Sequence, residues 1–159
     1  GINRTILNHL KKKITLMEPL DRWCSLCWDE ISLTKGLNYN KKEDKFIGTV
    51  DIGSMGRKKK FADHALVFMV QGLKKKWKQP IAYFFTQNTV SSEVLEKCVV
   101  EIINALTSIG LHVKATVCDQ GPTNVKALKI LCHNNNYFLN KNQKIYILYD
   151  PPHLLKSTR

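Results

Sequence analysis

The apolar residues switch between a strand-like and a helix-like period along this chain, and the order of those switches limits the folds open to it. Residues 65–73 (ALVFMVQGL) and 81–86 (IAYFFT) are short apolar runs separated by the charged stretch 74–80. Their β-branched and aromatic content predicts two strands of a hairpin. Beyond residue 91 the spacing turns helical, with Val94, Leu95, Cys98, Val99, Ile102, Leu106 and Ile109 on one face. Ser91 or Ser92 caps that helix, Glu93 sits in its first turn and Gly110 ends it. A strand at 113–118 (VKATVC) follows, then a helix opened by Gly121 and Pro122 and running to about His133. Asn134-Asn135-Asn136 breaks the chain before a last strand at 144–149 (KIYILY).

Upstream, residues 3–18 place Leu7, Leu10, Ile14 and Met17 at helical steps between lysines, and Pro19 limits that amphipathic helix. Residues 24–33 (CSLCWDEISL) and 46–52 (FIGTVDI) read as strands on either side of a polar turn at 38–45. Gly53-Ser54-Met55-Gly56 and the basic run after it read as a loop. An antiparallel block followed by alternating helices and strands predicts an α/β domain built on a mixed sheet flanked by helices.

With 159 residues, the chain is long enough for one domain that buries about 68–70% of its unfolded surface. Its apolar runs fall far short of the ~20 residues needed to span a bilayer, and no secretory signal opens it. It starts at Gly1 and stops in a basic stretch, and so reads as a piece of a longer polypeptide. Lysine and arginine exceed the acids by 12, a field that favours polyanions; a merely solvated basic surface is the alternative. The charge gathers at Lys11-Lys12-Lys13, at Arg57-Lys58-Lys59-Lys60, and at Lys74-Lys75-Lys76 with Lys78 beside Trp77. Trp77 suits a base, a sugar or a core edge. The five cysteines are odd in number and mostly sit in apolar runs, which predicts reduced thiols. Cys24 and Cys27 have the spacing of half a zinc site, but three residues apart on a strand they face opposite sides.

Two aspartates stand out because each directly follows an apolar strand segment: CSLCW before Asp29, VKATVC before Asp119. A carboxylate beside a sheet core is costly unless a cation or donors compensate. If the two strands are neighbours, the acids converge, and a hard divalent ion between them relieves their repulsion. Paired ions of that kind activate an attacking oxygen and stabilise a leaving oxygen on phosphorus. The alternative is structural: Asp29 closes a turn and Asp119 caps the helix near Pro122. Asp150 follows KIYILY in the same manner, with His153 beyond, and is a possible further ligand or a turn former. Asp51 is a strand-end acid suited to hydrogen-bonding the Gly53 loop, and Glu30 points to the face opposite Asp29.

Taken in order, CSLCWDEISL, FIGTVDIG, ALVFMVQGLKKKWKQPIAYFFT, VKATVCDQGPTN and IYILYDPPHLLKSTR resemble the RNase H-like domain of P-element-type transposases, including their THAP-domain relatives. The resemblance covers nearly the whole chain. It implies residues 1–20 as a helix preceding the core, and residues 21–159 as the N-terminal part of an RNase H-like domain, incomplete at its C-terminus. It implies a metal-dependent strand transferase with Asp29 and Asp119 as catalytic metal ligands for Mg²⁺ or Mn²⁺. The third acid, usually Glu, lies beyond a GTP-binding insertion that begins near DPPHLLKSTR; no Glu follows Glu101 here. It further implies cleavage and transfer of transposon ends into target DNA by an oligomeric parent in the nucleus, with the fragment inactive alone. The basic residues Arg57, Lys58, Lys59, Lys60, Lys74, Lys75, Lys76 and Lys78 are candidates for the DNA backbone. A descendant that keeps the fold and binds DNA or protein without cutting is the rival reading.

Overall fold

In the computed structural model the described residues are 1–41 and 44–150. The Asn3 side chain accepts the Ile6 N–H and starts α1, Arg4–Ile14, whose Leu7, Leu10 and Ile14 are buried. The helix stops short of residue 18, but Met17 still packs on the core, and a tight turn at Pro19–Arg22 leads into β1, Trp23–Ser32. The region expected as a polar turn and one long strand is three pieces. These are a small hairpin of β2, Asn38–Asn40, with β3, Lys45–Ile47, and then β4, Thr49–Asp51. Gly48, with φ of 124°, breaks the run between β3 and β4.

The basic run is a strand rather than a loop: β5, Arg57–Phe61, lies exposed at the sheet edge against β4. Lysine side chains on an edge strand are a common guard against further pairing, and this is why polarity hid it. The predicted hairpin is β6, His64–Gly72, with β7, Lys78–Thr86. Then come α2, Ser92–Ser108, capped by the Ser91 hydroxyl; β8, His112–Cys118; and α3, Pro122–Cys132. A short strand β9, Tyr137–Asn140, precedes β10, Gln143–Tyr149.

Eight strands form one sheet in the order β5-β4-β7-β6-β1-β8-β10-β9, with β1, β8 and β10 parallel. Alternation divides the sheet into two faces. Leu26 and Trp28 of β1, Phe68 and Val70 of β6, and Phe84 of β7 join one apolar cluster with Leu10, Ile102 and Leu128 of the three helices. Trp28 and Phe84 rings both lie 5.8 Å from the Phe68 ring. The opposite face carries Cys27, Asp29 and Ile31 of β1 and Leu148 of β10; Ile31 and Leu148 are each 52% exposed. No helix among the described residues is long and apolar enough to cross a membrane.

Candidate active site

The parallel ladders set the geometry. Cys27 pairs with Val117 at the end of the β1–β8 ladder, so Asp29, within β1, and Asp119, just past the end of β8, stand level two residues further on. Neighbouring strands lie ~4.8 Å apart, and level residues of parallel strands point to one face. On the other side of β8, Tyr149 pairs with Cys118, and the Asp150 N–H extends that ladder by donating to the Cys118 carbonyl at 2.9 Å. Asp150 therefore stands level with Asp119. All three aspartates line a cavity of about 410 Å³ on the open face, with Cys27, Val67 and Val117 among its walls. Electrostatics agree with this proximity. Burial pushes the Cys118 thiol up to about 12, helped by the Asp119 charge. Burial also raises Cys27, with Asp150 contributing.

Both principal carboxylates are held by one oxygen. Asp29 Oδ1 accepts the Glu30 N–H at 2.8 Å. Asp119 Oδ1 accepts the Gly121 N–H at 2.8 Å and the Asn124 amide at 2.5 Å. Asn124 Oδ1 in turn accepts the Trp28 indole N–H at 2.9 Å, so β1, the Asp119 turn and the first turn of α3 form one chain of bonds. Among the described residues, Oδ2 of neither aspartate accepts a hydrogen bond. The structural alternative is met in part for Asp119, which bonds the approach to α3, whereas Asp29 lies inside β1, accepts the N–H of the next residue and closes no turn. A carboxylate held at Oδ1 still offers Oδ2 to a cation, and two or three such oxygens are the hard donors that Mg²⁺ or Mn²⁺ takes. The donor set fits such an ion, but incompletely. No group of three or more His, Cys, Asp or Glu among the described residues is placed to hold a metal.

Other expectations resolve residue by residue. Glu30 points to the helix face, where its Oε1 accepts the Val90 N–H at 3.4 Å. Asp51 accepts the Gly53 N–H at 3.0 Å and pairs with Arg57 at 2.8 Å. Cys24 lies in the core, whereas Cys27 faces the other side next to the Ser25 hydroxyl. Trp77 is a core edge, with its indole nitrogen buried and without a hydrogen-bond partner among the described residues. Lys74 and Lys75 pair with the buried Asp21 at 3.6 and 2.5 Å. Their turn packs beside Trp23, the start of β1, which is ~20 Å of strand from Asp29. His153 and the rest of PPHLLKSTR lie outside the described residues. Asn124 carries only one signal in the sequence, its place in the first turn of the helix after Asp119.

A second cavity of about 250 Å³ opens on the helix face beside these acids, lined by Trp28, Asp29, Glu30, Thr89, Asp119 and Asn124 among others.

Residues 1–132 match the family described as TNP-like, RNase H N-terminal domain. The Transposable element P transposase of Drosophila melanogaster is 28% identical over 149 residues, covering 90% of this chain and 17% of that protein. The DNA transposase THAP9 of Homo sapiens is 24% identical over 172 aligned positions, covering 100% of this chain and 19% of that protein. The chain thus spans less than a fifth of the curated relatives it matches. A solved structure titled as the Drosophila P element transposase strand transfer complex superposes with a TM-score of 0.74 at 23% identity, over 99% of this chain and 33% of that one. That likeness bears out the expected fold, a mixed sheet of RNase H type flanked by helices.

Proposed function

The chain belongs to the TNP-like, RNase H N-terminal domain family, and from that premise we propose that it is the part of a P-element-type DNA transposase that supplies Asp29 and Asp119 to the catalytic centre. The observation that carries this reading is the level register of those two residues where the β1–β8 ladder ends. DDE-like transposases use divalent metal ions in general; here the ion is Mg²⁺ or Mn²⁺. Bound at this rim, the ion would supply charge neutralisation and activation of an oxygen nucleophile for in-line displacement at phosphorus.

The chain's own residues hold and orient. Asp29 and Asp119 accept their hydrogen bonds at Oδ1, leaving Oδ2 to an ion, and Asn124 fixes Asp119 by bonding that Oδ1. Asp150 stands next in line as a possible further ligand. The substrates are DNA ends and target DNA, cut and joined in the full-length parent, with a later acid completing the centre. Nuclear location, an oligomeric parent and a GTP-binding insert belong to the same reading and rest on the resemblance of the motif set.

The test is metal-dependent nicking of transposon-end DNA by the full-length protein. Asp29→Asn and Asp119→Asn should each lower the rate by about a thousandfold, ~4 kcal/mol of transition-state stabilisation. Unchanged nicking in both variants ends the catalytic assignment. A parent that binds DNA in the same assay but does not nick it is the non-cutting descendant.

A further inference from the structure

The helix face of the sheet holds a third recess, of about 320 Å³, that the carboxylates do not use. Lys58 and Lys60 of β5, Thr86 at the end of β7, Thr89, Val90 and the α2 cap Ser91 line it. Register puts these groups on one side. Lys58 pairs with Val50, whose side chain is in the core, and Phe61 pairs with Thr49 across a bulge, so Lys58 and Lys60 both project toward the helices. Arg57 projects to the opposite face, where it pairs with Asp51. Thr86 shares the parity of Phe84 and so faces the same side as the two lysines. It is 2% exposed, and its hydroxyl has no hydrogen-bond partner among the described residues. A buried hydroxyl without a protein partner is a group that a bound oxyanion could satisfy. The 17-residue α2 adds the positive end of its dipole at Ser91 and Ser92. Glu93, the acid of that first turn, bonds its own backbone N–H and the Ser91 side chain and also pairs with Lys126 of α3 at 3.4 Å, so the phosphate would be held chiefly by the lysines and Thr86.

We propose that this recess is a subsite for a backbone phosphate of the DNA strand that enters the carboxylate rim, held by Lys58, Lys60 and the Thr86 hydroxyl. The proposal deepens the transposase reading and rests on it for the choice of polynucleotide. The recess and the helix-face cavity beside Asp29 and Asp119 share Thr89 and Val90 as a common wall. Asp29 and β5 lie four strands apart, ~19 Å at strand spacing. At 3.4 Å per step that is about six nucleotides along one strand of a duplex. The recess would therefore fix the register of DNA at a distance from the reacting phosphate, a task distinct from chemistry.

The experiment follows binding of a fluorescein-labelled 20-nucleotide duplex to the chain by anisotropy, in EDTA, across a salt series. Lys58→Gln with Lys60→Gln should weaken binding at least tenfold at low salt and make the slope of log affinity against log salt shallower by about two. Lys11→Gln with Lys12→Gln, which removes equal charge from the exposed side of α1, should do markedly less. Thr86→Val should weaken binding severalfold while leaving the melting temperature equal or higher, and Thr86→Ser should restore binding. Equal effects of the two lysine pairs, or an unchanged affinity in Thr86→Val, would overturn the subsite. So would inorganic phosphate binding that depends on Lys58 and Lys60 while DNA affinity does not. The catalytic assignment is read separately, by nicking in the full-length protein, so the subsite and that assignment can fail separately.

Discussion

Asn124 shows how much one side chain can control at the candidate site. Its amide donates to Asp119 and its carbonyl accepts from Trp28, so it holds a carboxylate on one strand end through the indole of the neighbouring strand. Asn124→Ala should raise the Mn²⁺ concentration for half-maximal nicking 10–100-fold, the usual effect of losing a partner that orients a metal ligand. It should also cost about 1–3 kcal/mol by leaving the Trp28 N–H unpartnered. The indole proton resonance of Trp28 reports the lost bond without reference to activity, and an unmoved resonance would remove Asn124 from this role. Two further carboxylates act on stability alone. Hydrogen bonds from His64 and the Asn88 N–H, with Lys35, hold Asp63 down to about 2. Lys75, then Lys74, lowers Asp21. A depressed folded value means the stabilisation is complete above the unfolded carboxylate range of ~3.9 and is lost as pH falls through the folded value. Melting temperature should therefore decline from about pH 4 toward pH 2, and Asp63→Asn should flatten that decline. A wild-type profile identical to that of the variant would dismiss Asp63 as a contributor.

At the level of elements, β5 and the β3–β4 break are the informative cases. Long elements with a clear period were legible: β1, β6, β7, α2, β8 and α3 lie within a few residues of where their apolar spacing puts them. Asp29 and Asp119 were legible because each directly follows an apolar strand segment. What failed was structure that the apolar pattern does not mark. RKKKF carries no alternation, yet it pairs because β4 offers it an open edge. Tyr137–Asn140 is a four-residue edge strand beside an asparagine run, where turn chemistry dominates the reading. FIGTVDI looks continuous, but Gly48 takes φ 124° and packs so closely on Gly36 that a Cβ would collide with its carbonyl oxygen. Gly48→Ala should cost at least about 1 kcal/mol, read as a lower urea midpoint. An unchanged midpoint would mean that the chain can follow another path between β3 and β4. Gly72 is a second such position, since a Cβ there would meet the Trp77 indole at the mouth of the β6–β7 hairpin.

Across the whole molecule the two faces of the sheet divide the labour. One apolar cluster reaches from Leu7 of α1 to Ile145 of β10, so no element on the helix side has a core of its own. The three aspartates sit at one end of the other face, where the backbone that carries them is braced from behind by that cluster. Phe68 is the point at which this bracing can be tested. It is fully buried in β6, touches the Trp28 ring on the strand that bears Asp29, and meets Phe84 edge-on. Phe68→Ala should cost ~3–5 kcal/mol, a large share of the ~5–15 kcal/mol that holds an ordinary domain folded. Because the cluster is continuous, the loss should appear as one shifted transition with an unchanged urea slope, coincident by tryptophan fluorescence and far-ultraviolet circular dichroism. Two separated transitions would show that the β1–β8–β10 half, with its aspartates, holds together independently of the β6–β7 half. In that case the aspartate rim and the lysine recess at β5 would be free to shift against each other, and the fixed spacing between them that the proposed bound strand requires would be lost.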